Sequence, residues 1–175
     1  MDENTFSKLT YGVYIIASGD KTRHNAFVAT AVFQVTAMPQ KIAVVCSKNN
    51  FTTPLIAEKK AFSISVLKQD YTPTTMGKFG FRSGKDFDKF AGSNYFFTKN
   101  TGVPVILDDT ITWFECEIEQ STDVGTHILF IGKVIDCEMI DENQTPLTYR
   151  YYHAVKKGLI PKNAPSYADV NKSSN

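Results

Sequence analysis

The segment Asn25–Pro54, NAFVATAVFQVTAMPQKIAVVCSKNNFTTP, constrains the fold more than any other stretch. Small and β-branched residues run from Ala26 to Ala37 without a helical breaker, Met38-Pro39 interrupts the pairing, and Ile42–Cys46 resumes it. The pattern predicts one long strand over 26–37 and a second over 42–46. A polar loop, Ser47-Lys48-Asn49-Asn50-Phe51-Thr52, then leads into Thr53-Pro54, where Thr53 is expected to cap a short helix over 53–60 with Pro54 in its first turn. The open amides of such a turn, its dipole and Lys48 would together suit a phosphate group. On these residues alone, an ordinary capped surface helix is the commoner arrangement.

The remainder is also rich in strands. Tyr11–Ser18 reads as a strand that turns through Gly19-Asp20 and the polar run to His24. Ala61–Leu67 alternates with period two, which predicts a half-buried strand with Phe62, Ile64 and Val66 on one face and two serines on the other. Thr72-Pro73 opens a short helix reaching Phe79. A long irregular region follows to about Val103, with a helical turn expected at Phe87–Phe90 and with Arg82, Lys85 and Lys89 as solvated charges or ligand contacts. In Thr112–Glu119 the glutamates are expected to face water while Phe114, Cys116 and Ile118 face inward. After the turn Asp123–Thr126, residues 127–140 form the partner strand. Ile128–Ile131 is apolar on both faces, as in a central strand or a subunit contact, and Gly132 would allow a bend. Tyr149, Tyr151, Tyr152 and His153 read locally as an aromatic edge strand.

Composition narrows the function classes. In 175 residues, 42% hydrophobic with 13 Phe and 8 Tyr, a large-residue β core is expected, and a net charge of +1 leaves no basic face for nucleic acid. One domain over 1–175 is expected, with a frayed tail at 168–175. Cys46, Cys116 and Cys137 are too scattered for a disulfide framework or a metal pair. With no leader pattern and no apolar run of about 20 residues, a cytoplasmic protein off the membrane is expected. There is no G-x-S-x-G, and His24, His127 and His153 lie far apart, so neither a hydrolase triad nor a metal site is indicated. Gly77, Gly80 and Gly84 do not have the spacing of a dinucleotide or P-loop motif. Position alone makes His127 a polar residue at a strand edge. Many short strands with few short helices point to a closed barrel.

Five motifs occur in order: Tyr11-Gly12-Val13-Tyr14 followed by Asn25; Phe33-Gln34-Val35-Thr36-Ala37-x-Pro39; Ser47-Lys48-Asn49-x-x-Thr52; Phe79-Gly80-Phe81-x-Ser83-Gly84-x-Asp86-x-Asp88-Lys89-Phe90; and Val124-Gly125-Thr126-His127-x-x-Phe130-Ile131-Gly132-Lys133-Val134. None is specific alone, but their order and spacing resemble the flavin reductase-like family of FMN-binding split barrels. Tyr151-Tyr152-His153-x-Val155-Lys156-Lys157-Gly158 and Ala164-Pro165-x-Tyr167 bring the chain nearest to the flavin reductase part of high-molecular-weight rubredoxins, with a likeness to flavoredoxin as well. Two positions depart from the family's usual pattern, Ala26 where glycine is common and Gln40 where a second proline is common.

The resemblance implies a mainly β, Greek-key split barrel of about six strands, and a homodimer with FMN at its interface. By the same resemblance Ala29, Thr30, Gln34, Val35 and Thr36 line the isoalloxazine and ribityl chain. Ser47, Lys48, Asn49, Asn50 and Thr52 hold the phosphate. Phe81, Ser83 and Lys89 add cofactor contacts from the later loop, and His127 with the Phe81–Lys85 loop, which would also serve as a lid, positions the nicotinamide of NADH or NADPH. The implied reaction is hydride transfer to flavin. A rubredoxin portion with its two cysteine pairs has no counterpart in these residues, so electrons are expected to pass to a separate rubredoxin or flavodiiron protein. A flavoredoxin-like electron carrier without nicotinamide turnover is the alternative, and a split-barrel ligand carrier without flavin a more distant one.

Overall fold

The structure, a computed structural model, describes residues 3–159. A short 3-10 turn, Glu3–Lys8, leads to a hairpin of β1 (Tyr14–Gly19) and β2 (His24–Ala29). Its tight turn is fixed by the Asp20 carboxylate, which accepts from Thr22 N at 2.8 Å and Arg23 N at 3.1 Å. Gly19 at φ +105° is required there, because a Cβ would lie 2.1 Å from Arg23 O. A second hairpin, β3 (Val32–Ala37) and β4 (Gln40–Ser47), turns at Met38-Pro39 and runs into α1 (Thr52–Lys59). Then follow β5 (Ala61–Leu67), α2 (Pro73–Met76) with a π turn over Gly77–Phe81, and a small hairpin of β6 (Tyr95–Phe97) and β7 (Pro104–Ile106). Two long strands, β8 (Thr110–Asp123) and β9 (His127–Met139), and the helix α3 (Tyr149–Ala154) complete the described chain.

Seven strands make one antiparallel sheet in the order β2-β1-β5-β8-β9-β4-β3, with β6–β7 separate. The sheet curls until β2 touches β4, but its two end strands share no ladder among the described residues, so the barrel is split. The long strand predicted over 26–37 is therefore two strands at opposite ends of the sheet. The chain changes partner at Thr30-Ala31, where Ala31 O accepts from Val45 N at 3.0 Å. No local pattern distinguishes a strand that continues from one that switches partners.

Two cores flank β1. Ile16 joins Phe27, Val44, Cys46, Ile56, Phe62, Ile64, Cys116 and Phe130 inside the barrel, where α1 plugs one opening. Ile15 and Ala17 point the other way, to Leu67, Met76, Phe79, Phe90, Ile106, Leu147 and Tyr152. Each large side chain so buried contributes roughly 1.5–3 kcal/mol. Gly132 serves packing: a Cβ there would sit 2.9 Å from Cys116 Cβ and 3.0 Å from the Phe62 ring. Burial pushes the Cys46 thiol pKa up; burial, with Glu115 and Cys137 nearby, pushes Cys116 to about 12, and Cys137 is exposed.

Other expectations are corrected by what covers the sheet. β5 is not half-buried: Ser63 and Ser65 are enclosed, and their hydroxyls donate to Pro104 O and Ile106 O of β7. Glu115 does not face water but accepts from Thr98, Asn100 and Thr101. The region before Val103 is less irregular than expected, since it holds β6, which pairs with β7 just beyond it, and Phe87–Phe90 forms bends rather than a helical turn, with Asp88 Oδ1 accepting from Phe90 N at 2.9 Å. Tyr149–Ala154 is a helix rather than an edge strand, capped by Thr148 Oγ1 accepting from Tyr151 N at 3.2 Å. β1 starts only at Tyr14 because the three residues before it run against 147–149 instead, with Tyr149 N donating to Tyr11 O at 2.8 Å. No helix among the described residues is long and apolar enough to cross a membrane. The tail and the Ala164–Tyr167 motif lie outside the described residues.

Candidate functional site

β2 is an end strand, and a cavity of about 590 Å³ runs along it. Asn25 and Phe27–Thr30 form one wall. Val45, Ser47 and Asn49–Phe51 close one side, Met76, Phe79–Gly84 and Lys89 the other, and Tyr149, Tyr152 and Leu159 cover the end. The volume lies in the range of small-molecule and cofactor sites.

The loop before α1 is built from its own side chains. Ser47 Oγ accepts from Asn49 N at 3.3 Å, and Ser47 O accepts from Asn50 N at 3.0 Å and from the Thr53 hydroxyl at 2.7 Å. The Asn50 carboxamide accepts from Thr52 N at 2.9 Å, and Asn50 O from Thr53 N at 3.1 Å. Phe51 is the N-cap and offers no side-chain cap, so the Asn50 carboxamide just ahead of it supplies a bond to the first turn where Thr53 was expected to. Thr53 already lies inside the helix, where its hydroxyl reaches back to Ser47. Four amides of this stretch, those of Asn49, Asn50, Thr52 and Thr53, are engaged within the loop itself.

What the loop leaves unpaired are side-chain atoms. Thr52 Oγ1 and Asn25 Nδ2 are buried without a hydrogen-bond partner, which is costly unless a ligand completes them. The Gly84 backbone lies against the Asn25 carboxamide so closely that a Cβ would fall 2.1 Å from Nδ2. Lys89 is 4% exposed, and its ammonium donates to Ala26 O at 2.8 Å and Phe79 O at 3.3 Å, with burial pushing its pKa down to about 8. The Arg82 guanidinium lies 4.6 Å from the centroid of the Phe87 ring. Among the described residues no aspartate or glutamate lines the cavity, and neither Arg82 nor Lys89 has a carboxylate within ion-pair distance. Apolar walls with unpaired donors and uncompensated positive charge suit a flat, largely apolar ligand bearing an anionic group.

Of the residues singled out from sequence, Ala29, Thr30, Ser47, Asn49, Asn50, Phe81, Ser83 and Lys89 line this cavity. Thr52 is fully buried beside the lining residue Phe51. Lys48 points elsewhere, its ammonium 2.6 Å from Asp123 Oδ2, and this hydrogen bond lowers the Asp123 pKa. Gln34, Val35 and Thr36 stand exposed on β3, outside the lining. His127 lies opposite Ser47 on β9, with Nδ1 2.8 Å from Thr126 Oγ1 and a buried Nε2 that has no partner; it too is outside the lining. Sequence reasoning assigned no site role to Val28, Tyr149 or Tyr152. For the tyrosines a signal existed: Thr148 is a good N-cap, and tyrosines three apart share a helix face. No group of His, Cys, Asp or Glu among the described residues is arranged to hold a metal ion.

The model of the flavin reductase like domain matches residues 6–156. The high molecular weight rubredoxin of Moorella thermoacetica is 42% identical over 95% of this chain and 72% of its own length. The ferric-chelate reductase (NAD(P)H) of Archaeoglobus fulgidus is 39% identical over 95% of this chain and 98% of its own. Among solved structures, flavoredoxin from Methanosarcina acetivorans superposes with a TM-score of 0.68 at 20% identity, covering 79% of this chain and 84% of its own, a likeness of fold.

Proposed function

The chain belongs to the flavin reductase-like family, and from that membership we propose that it is an NAD(P)H-dependent flavin reductase holding FMN in the cavity beside β2. The observation that carries the reading is the cavity's charge balance: buried donors at Asn25 and Thr52 without partners, a buried ammonium at Lys89, and no acidic side chain in the lining. Those groups fit a phosphate joined to a flat ring system. Ala29, Thr30 and Val28 would face the ring and ribityl chain. Ser47, Asn49, Asn50 and Thr52, with Ser83 and Gly84 opposite, would enclose the phosphate. The flavin supplies the chemistry, accepting a hydride and releasing electrons, while the protein orients it and limits access of water. No acid–base residue is needed at the ring.

Gln34, Val35 and Thr36 enter the site in this reading only across a homodimer interface. The exposed β3–β4 hairpin supports that assembly, for Phe33, Val35 and Met38 are 55%, 42% and 88% exposed on one arm. His127 would position the nicotinamide from beside this cavity, opposite Ser47 on β9. The similarity to a rubredoxin-named protein supports a rubredoxin or flavodiiron protein as electron acceptor. Titration of the purified protein with FMN, followed by NADH or NADPH, is the test. Quenched FMN fluorescence and flavin-dependent nicotinamide oxidation are expected. Tight yellow protein without nicotinamide turnover would favour an electron carrier, and neither signal would end the flavin reading.

A further inference from the structure

The wall at one end of the cavity comes from a part of the chain that no motif assigned to the site. Tyr149 N donates to Tyr11 O at 2.8 Å and Val13 N to Leu147 O at 3.0 Å, so α3 packs beside the entry to β1, whose Tyr14 pairs with Ala29 at the end of β2. Asn25, with Gly84 against it, stands at the start of that strand, and the Phe51 ring centroid lies 5.9 Å from Arg23 Cζ just ahead of it. Four residues of strand separate Asn25 from Ala29, roughly 13 Å. A phosphate enclosed by the Asn49–Phe51 loop and Gly84 leaves the α3 end to the flat ring.

What α3 presents there is aromatic. Tyr149 and Tyr152, three apart on one helix face, hold their rings within 18° of parallel with centroids 6.3 Å apart, and both line the cavity. The Tyr152 hydroxyl donates to Leu159 O at 3.0 Å, which satisfies its polar end and leaves the ring as apolar surface. The chain beyond α3 folds back to make this bond. Gly158 N donates to Tyr152 O at 3.0 Å, His153 Nδ1 lies 2.8 Å from Gly158 O, and the Lys156 ammonium anchors the return 3.2 Å from Asp70 Oδ1. A Cβ on residue 158 would fall 2.1 Å from Tyr152 Cζ, so any other residue there must push the ring or the strap aside. The strap ends on Leu159, which is 72% exposed and closes over the same cavity.

We propose that α3 and the strap over 155–159 are the ring-end wall of the flavin site: Tyr149 and Tyr152 hold the isoalloxazine, and Gly158 latches the wall so that bound flavin escapes slowly. This rests on the flavin reading of the site. Wild type, Tyr149→Leu and Gly158→Ala are titrated with FMN and with riboflavin, release of bound FMN is followed after dilution, and thermal melts confirm folding. Leucine keeps an apolar side chain at 149 and removes the ring. Tyr149→Leu is expected to weaken both flavins by the same factor, roughly three- to tenfold, because both carry the ring. Gly158→Ala is expected to release FMN about tenfold faster, the effect of one lost contact of moderate strength. A loss confined to FMN overturns the inference, because it puts α3 at the phosphate. Either folded variant with wild-type affinity and release overturns it too, while the flavin site stands. Wild-type protein that binds neither flavin overturns the site reading and the inference with it.

Discussion

Lys89 is also where a single proton should register in stability. Its pKa is about 8 in the folded protein, set by burial, against about 10.4 in an unfolded chain. Between those values the unfolded state holds a proton that the folded state has released, so folding stability rises with pH across the window, by at most about 1.4 kcal/mol per unit. Below the window both states are protonated and this gain is absent. Flavin-free wild type should therefore gain resistance to urea relative to Lys89→Met between about pH 8 and about pH 9.5. Burial also raises the pKa values of Cys46, Cys116, Tyr14, Tyr71 and Tyr152, which lowers stability as pH rises over the same range, equally in wild type and variant, so the comparison cancels them. Saturating FMN should shrink the slope, because a paired ammonium regains its proton affinity. Equal pH dependence in wild type and variant would rule out Lys89 as the source.

At the scale of elements, Glu115 ties the β6–β7 hairpin to the outer face of β8. Its carboxylate accepts from Thr98 Oγ1 at 2.6 Å, Thr101 N and Oγ1 at 2.7 Å, and Asn100 Nδ2 at 3.0 Å. Burial alone would raise its pKa, but the donors from Thr98, Thr101 and Asn100 outweigh burial and hold it below the ordinary range. Its stabilising contribution is present above the unfolded value of about 4.3 and lost as pH falls through the lower folded one. Glu115→Gln would turn an amide donor toward those groups, and a loss of about 2–3 kcal/mol is expected by denaturant titration at neutral pH, with a smaller pH dependence on the acid side. An unchanged acid limb would show that the carboxylate is not what holds the hairpin. In sequence, Glu115 looks like Glu117 and Glu119, which are exposed. The difference is a hairpin from a separate part of the chain, and the same hairpin accounts for the buried hydroxyls of Ser63 and Ser65.

For the whole molecule, the proposed homodimer rests on the arm formed by β3 and β4. Phe33, Val35 and Met38 are exposed together on it, a poor arrangement for a lone protein in water. Phe33→Asp with Met38→Asp is expected to shift a dimer to monomer in sedimentation and to weaken FMN, while leaving the thermal melt of the monomer near wild type. A wild-type protein that sediments as a monomer, still binding FMN, would remove the interface from the site. The sequence by itself determined that this is an antiparallel β protein with few short helices, because period-two patterning, β-branched residues and turn residues act over a few neighbours. It also determined the family, through motifs whose order survives without knowledge of their contacts, and it pointed to the loop at Ser47–Thr52. Only the tertiary structure decided that the stretch 26–37 is divided between the two ends of the sheet, that α1 starts after Phe51 with no cap from Thr53, that Lys48 turns to Asp123, and that Lys89 is the buried charge. Each of these depends on which distant segment arrives beside a residue. Burial and charge pairing are set by that neighbour, so identical local patterns such as Glu115 and Glu117 end in opposite environments.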